Sequence, residues 1–293
     1  MEFHQLRYLT AVATTRSFTR AALECHVTQP TLSHQIKKLE EEIGEPLFQR
    51  RKKGAFLTPL GERVFEHART ILGAIESVKQ EASAFSTKVQ GRLRIGIIPT
   101  IAPYYLPRLL NACRRKHPGI SFQITEDPTE NLLAAMRRGA LDVVVLSPPI
   151  AGDDLHFKDL FEDEFLLAVP PSHPLSRARA IRLADTVDYP MILMNDAHCL
   201  RGQTLALCKR AGFTPQVFIQ SAQLDTVLAM VETGLGISLI PRSARGSFGH
   251  RKVKFRSLRP EKLSRLISLT WPKQSASTRA LQALIEVAGR LQI

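Results

Sequence analysis

Apolar residues along the first sixty positions recur at helical steps, separated by short polar breaks. Phe3, Leu6, Leu9, Thr10 and Ala13 mark one amphipathic helix. Ser17 is placed to cap a second, through Phe18-Thr19-Arg20-Ala21-Ala22-Leu23. Thr28 is placed to cap a third, opened by Gln29-Pro30. Proline suits a first turn because its missing N–H would have no intrahelical partner. The third helix is predicted to run to about Glu42, with Leu32, Ile36 and Leu39 inward. Gln29, Thr31, Ser33, His34, Lys37 and Lys38 are left outward. Gly44-Glu45-Pro46 ends it. Leu47-Phe48 and Phe56-Leu57 then flank a basic tip, Arg50-Arg51-Lys52-Lys53-Gly54.

Beyond Gly61 the period changes. Val64, Ala68, Ile71, Ile75, Val78, Ala82 and Phe85 alternate steps of four and three, the a/d seam of a coiled coil. Ser86 to Gly91 is polar and reads as a hinge. After it, short strand patterns alternate with helical ones. Strands are expected around Leu93–Ile97, Ile120–Ile124, Leu141–Leu146, Phe165–Val169, Met191–Met194, the segment after Gly234, and Ile267–Trp271. Helices are expected at Tyr104–His117, Asn131–Arg138, His198–Ala211, Leu224–Glu232 and from about Ser277. Alternation of this kind predicts an α/β fold with a parallel sheet and helices on both faces. A pocket is expected at the strand C-termini.

Composition narrows the class. In 293 residues, 44% hydrophobic and 23% charged content is ordinary for a globular chain. No apolar run reaches membrane-spanning length, and the start lacks the pattern of a signal peptide. The expectation is a cytoplasmic protein with no membrane partner. There a permanent disulfide is disfavoured. The four cysteines have no metal-ligand spacing, so neither metal nor cofactor is expected. The formal charge of +13 favours a polyanionic partner. Residues 1–90 hold 13 basic and 10 acidic side chains and so carry only +3 of it. Arg242 to Arg265 holds nine basic residues and one acidic one, read as a solvated loop face.

Two short helices, a tight turn, a polar-faced third helix and a basic hairpin make a winged helix-turn-helix. Its expected partner is double-stranded DNA. Gln29, Thr31 and Ser33 would approach base edges; Lys37 and Lys38, with Arg50, Arg51, Lys52 and Lys53 of the wing, would meet phosphates; Pro30 and His34 belong to the same DNA-binding set.

Ser17-Phe18-Thr19-Arg20-Ala21-Ala22, Val27-Thr28-Gln29-Pro30-Thr31-Leu32-Ser33, Gly44, Leu47-Phe48, Arg50 and Leu57-Thr58-Pro59-Leu60-Gly61 resemble the N-terminal signature of LysR-type transcriptional regulators. The resemblance continues along the chain. It implies a winged head at 1–60, a linker and dimerisation helix at 61–87, and a regulatory domain at 91–293. That domain would be two-lobed and like a periplasmic binding protein, with one lobe at 91–161 and 268–293 and the other at 162–267. It also implies self-association as a dimer or tetramer, contact with RNA polymerase, and no enzymatic activity.

The stretch His198-Cys199-Leu200-Arg201 with Cys208 is narrower in meaning. The two cysteines are nine residues apart in a predicted helix, which separates them by about 13.5 Å along the axis and about 900° of turn. A disulfide needs Cα atoms about 4.4–6.8 Å apart. The pair cannot bond while the segment stays helical. Leu200, Thr204, Leu207, Cys208 and Ala211 share a face, so Cys208 reads as buried. Cys199, near the helix start with Arg201 close by, is expected to favour thiolate. Two small core residues in an ordinary helix would also fit this spacing.

Together with Ile95-Gly96-Ile97-Ile98-Pro99-Thr100, Pro103-Tyr104 and Leu106-Pro107, this stretch resembles the hydrogen-peroxide-sensing OxyR subfamily. The resemblance implies that Cys199 is the residue peroxide oxidises and Cys208 the one that resolves it to a disulfide. It implies that Thr100, Thr129 and His198 organise the peroxide site, with Arg265 as the late basic residue that keeps Cys199 ionised. Gly202 stands where the subfamily leads one to expect an acidic residue, and Phe218 where it leads one to expect a histidine. The alternative is a LysR-type regulator whose effector is a small metabolite bound between the lobes. Cys25 and Cys113 are expected to be packing residues.

Overall fold

A computed structural model describes residues 1–51, 54–83, 89–150, 152–260, 262–273 and 278–291. The chain divides into two compact units, residues 1–87 with 137–140, and residues 88–136 with 141–293.

In the first unit α1 (Phe3–Thr15), α2 (Phe18–Glu24) and α3 (Gln29–Ile43) pack around Leu6, Leu9, Val12, Leu32, Ile36 and Leu39. The caps are where the sequence puts them. Ser17 Oγ accepts from Arg20 N at 3.3 Å, and Thr28 Oγ1 from Thr31 N at 3.4 Å. Gly44 ends α3 with φ +88, a left-handed conformation that glycine adopts without strain. Strands β1 (Phe48–Arg51) and β2 (Gly54–Leu57) form the wing, with Arg51 opposite Gly54. Glu40 ties wing to α3: its Oε1 accepts from the Leu47 and Phe48 amides at 2.7 and 3.1 Å.

Helix α4 (Pro59–Ser83) follows. Its apolar seam does two jobs. Val64 and Ala68 pack into the head's own core, so this first part of the expected coiled-coil seam serves the monomer. Ile71 and Val78 are exposed, at 43% and 64%. Phe85 lies outside the described residues.

The second unit has two cores joined by long strands. The first core is built on β3 (Gln90–Ile97), β4 (Gly119–Glu126) and β5 (Val143–Leu146), with α5 (Ala102–Lys116), α6 (Thr129–Arg137) and α9 (Arg279–Arg290) against them. Here β3 pairs parallel with both β4 and β5. The second core holds β7 (Met191–Met194), β8 (Val217–Ser221), β9 (Ser238–Pro241) and β10 (Lys254–Ser257), with α7 (Cys199–Arg210) and α8 (Leu224–Glu232). Strands β6 (Leu155–Val169) and β11 (Ser264–Pro272) run antiparallel, and β6 passes from one core to the other. Its first ten residues pair with β11; Leu166 to Val169 pair with β10, and Phe165 to Ala168 with β9.

Three features depart from the sequence reading. The expected strand at Phe165–Val169 begins ten residues earlier, and β8 and β10 were not expected. The first part of β6 is mostly exposed or half-buried, so it lacks the apolar alternation that marks a strand. The sheet is therefore mixed, not parallel throughout. The basic run from Arg242 to Arg265 is a solvated face only in part: Arg242, Arg245, Lys252, Lys254, Arg259 and Lys262 are exposed, whereas Arg251 and Arg256 are half-buried and Arg265 is buried. Arg242 pairs with Glu164, Arg251 with Asp225 and Glu232, and Arg256 donates to the Ser176 and Ala178 carbonyls. Arg242, Arg251 and Arg265 thus have carboxylate partners within the fold.

Candidate sensing site and nucleic-acid interface

Both cysteines of interest lie on α7, at its first and tenth positions. Gly212, with φ +85, stops the chain just beyond it. Leu200, Thr204 and Cys208 are buried; Leu207 and Ala211 are half-buried against the same core. The helix straddles the two cores. Leu200 and Cys208 belong to the second, whereas Cys199 packs against the first. All four cysteines are free thiols. Cys25 and Cys113 are buried, Cys113 beside Tyr105 and Leu109 on α5.

The helical geometry keeps the two sulfurs apart, and their environments differ. Cys208 is fully buried, and burial lifts its thiol to about 11. Cys199 is half-buried. Burial pushes its thiol up as well, and this exceeds the opposing pull of the Arg265 charge, the Thr129 side chain and the backbone amides at the helix start. The expected preference for thiolate is therefore offset by desolvation. Of the two basic residues expected to act on Cys199, the neighbour Arg201 and the late Arg265 implied by the resemblance, it is Arg265 whose charge reaches it. Arg201 is turned to Asp196.

Arg265 is almost wholly buried on β11, at 4% exposure. Its Nη1 donates to Thr100 Oγ1 at 2.8 Å, and its Nη2 to the Thr100 carbonyl at 3.1 Å. Its Nε and Nη2 donate to Asp163 Oδ2 at 3.3 and 3.1 Å. Asp163 sits directly across the strand pair on β6 and also accepts from the Ser243 amide and hydroxyl. A buried guanidinium is tolerable only when paired this completely. Asp163 is a member of this network that spacing alone did not reveal: it sits in an acidic triplet, Glu162-Asp163-Glu164, that reads as surface.

Thr100 follows β3 and is buried. Its oxygen accepts from Arg265, which leaves its own hydrogen to donate. Thr129 opens α6, and its buried Oγ1 has no hydrogen-bond partner of ordinary geometry, though it stands close enough to Cys199 to favour the thiolate. His198 precedes α7 and is buried. Desolvation holds its imidazole below the usual range, so it is neutral at pH 7. The structure thus gathers Thr129 and Arg265 about the Cys199 sulfur, with Thr100 bonded to Arg265 and His198 next in the chain. A cavity of about 390 Å³ opens beside this group, lined by Thr100, Tyr104, Glu126, Met194, Asp225 and Phe248.

On the head, Gln29, Pro30, Thr31, His34, Lys37 and Lys38 are exposed on α3, and Ser33 is half-buried. Gln29 Nε2 donates to Ser33 Oγ at 2.8 Å. Arg50 and Arg51 lie on β1 at the wing tip. Lys52 and Lys53 lie outside the described residues.

Residues 3–62 match the model of the bacterial regulatory helix-turn-helix protein, lysR family, and residues 86–292 match the LysR substrate binding domain. A probable hydrogen peroxide-inducible genes activator of Mycobacterium avium is 34% identical over 98% of this chain and 93% of its own length. The DNA-binding transcriptional dual regulator OxyR of Escherichia coli K12 is 36% identical over 83% of this chain and 80% of its own. Among solved structures, a full-length OxyR variant from Pseudomonas aeruginosa superposes with a TM-score of 0.82 at 31% identity, over 98% of this chain and 94% of that one. CbnR complexed with its target DNA shares the fold, with a TM-score of 0.76 at 24% identity over 99% of each chain. Among the described residues no helix is long and apolar enough to cross a membrane.

Proposed function

This chain belongs to the LysR family of transcriptional regulators and binds DNA through its helix-turn-helix; from that premise we propose that it senses hydrogen peroxide through Cys199 and Cys208. The observation that carries the reading is the placing of one half-buried thiol near a buried cation and one unsatisfied hydroxyl, with a second thiol sealed farther along the same helix.

The chemistry runs in two steps. The Cys199 thiolate attacks one peroxide oxygen, the O–O bond breaks, and hydroxide leaves as sulfenic acid forms. In this reading Thr100, Thr129 and Arg265 hold the peroxide oxygens and the departing charge. Cys208 sulfur then attacks the sulfenic sulfur, and the S–OH oxygen leaves with the Cys208 proton as water. The second step requires α7 to unwind, because about 13.5 Å of helical rise separates the residues. A local refolding therefore follows the oxidation. The exposed face of α4 at Ile71 and Val78 is assigned to self-association, which would set two heads on two half-sites. RNA polymerase is the partner through which the change would reach transcription.

The test is a titration of reduced protein with peroxide. One equivalent should remove two thiols per subunit and leave one disulfide, and Cys199→Ser should abolish the response. A Cys199→Ser variant that answered peroxide normally in a reporter would overturn the proposal. The cavity of about 390 Å³ beside Thr100 favours a second reading, a small-metabolite effector. Saturable stabilisation by a metabolite, with all thiols surviving peroxide, would select it.

A further inference from the structure

Helix α7 is weakly held for an element carrying both reactive thiols. It buries one residue per turn, Leu200, Thr204 and Cys208. Its N-cap residue, His198, makes no side-chain capping bond, and Gly202 interrupts its interior. Cys199 touches the first core, but a thiol at that contact adds little restraint. Among the described residues, the side-chain hydrogen bonds from α7 into the first lobe come from Gln203. Its Nε2 donates to Ser147 Oγ at 2.8 Å and lies 3.5 Å from the Pro148 carbonyl.

The receiving end is rigid. Ser147 directly follows β5, the strand between β3 and β11, and is 2% exposed. Its hydroxyl is spent on the Leu266 carbonyl of β11 at 2.7 Å, which fixes the lone pair that faces Gln203. The donating end is only half satisfied. Gln203 Oε1 is buried with no hydrogen-bond partner, so water would gain access to it only once the helix leaves. One hydrogen bond of ordinary length ties a side chain of the helix to the first lobe, and an unpaired carbonyl beside it favours release.

We propose that the Gln203–Ser147 hydrogen bond is the catch that keeps α7 wound against the first lobe, and that its strength sets how fast Cys208 reaches oxidised Cys199. Ser147 and Gln203 are positioning residues in this account; neither touches peroxide. The inference rests on the two-step reading above. It concerns only the second step, in which the Cys208 sulfur displaces the oxygen of Cys199 sulfenic acid as water.

The decisive variant is Ser147→Ala, which lies outside α7 and leaves its helix propensity alone. Full-length reduced protein is mixed with stoichiometric peroxide and quenched over time. Sulfenic acid is trapped with dimedone, and the disulfide is read by mass spectrometry of unreduced peptides. Peroxide consumption should match wild type, and disulfide closure should be roughly fivefold faster, the worth of one net hydrogen bond. In a Gln203→Met background, which has similar length and helix propensity, Ser147→Ala should no longer accelerate closure. Closure within twofold of wild type, or an undiminished Ser147→Ala effect in that background, overturns the catch. Hydrogen exchange of the α7 amides in reduced protein separates this failure from failure of the redox reading. Ser147→Ala should speed their exchange whether or not a disulfide ever forms, and unchanged exchange also overturns the catch.

Discussion

Replacing Gly202 by alanine should slow disulfide closure. Gly202 lies in the interior of α7, is exposed, and a Cβ added there meets nothing within 4 Å. The substitution therefore adds no clash and disturbs no neighbour. Glycine inside a helix costs about 0.5–1 kcal/mol relative to alanine, because the unfolded glycine has more conformations to lose. If the segment between Cys199 and Cys208 must unwind before the sulfurs meet, that whole difference is added to the barrier. It corresponds to closure roughly two- to fivefold slower. The first oxidation takes place with the helix intact and should keep its rate. The assay is quenched-flow oxidation with separate counts of sulfenic acid and disulfide, in which the variant should accumulate more trapped sulfenic acid. Protection of the α7 amides from hydrogen exchange should rise by the same factor. Closure as fast as wild type, with protection raised, would refute the requirement for unwinding.

Other expectations follow from the same geometry. Arg265 opposes the desolvation of Cys199, so Arg265→Gln should move the pH midpoint of Cys199 alkylation upward and slow peroxide attack at neutral pH. Cys113 and Cys208 are held up to about 11 against an ordinary 9.0, so above pH 9 the unfolded chain sheds protons that the fold retains; stability should fall from about pH 9 to 11, and a flat profile by circular dichroism would contradict these burial shifts. Lys37→Ala with Lys38→Ala should weaken binding across DNA sequences and reduce the salt slope by roughly 0.9 per lost phosphate contact, whereas Gln29→Ala should relax base preference with the slope kept. Val78→Asp should weaken self-association in sedimentation analysis while the head stays folded, because Val78 is exposed and the head's core draws on Val64 and Ala68 instead.

Local rules determined much of this protein from sequence alone. Ser17, Thr28 and Gly44 act within a few residues, so the head's helices could be placed from their caps. The stop at Gly212 and the spacing of Cys199 and Cys208 put both thiols on one helix, since a helix fixes distance by residue count. Tertiary structure decided what those thiols meet. Arg265 and Asp163 are 102 positions apart and face each other only because β6 and β11 pair in register. The cation at Cys199 therefore comes from a distant strand, while the nearby Arg201 turns to Asp196. The same holds for Ser147, whose grip on Gln203 spans 56 positions. Nor could sequence weigh burial against charge at Cys199: desolvation depends on everything packed around an atom, and no local pattern encodes that sum.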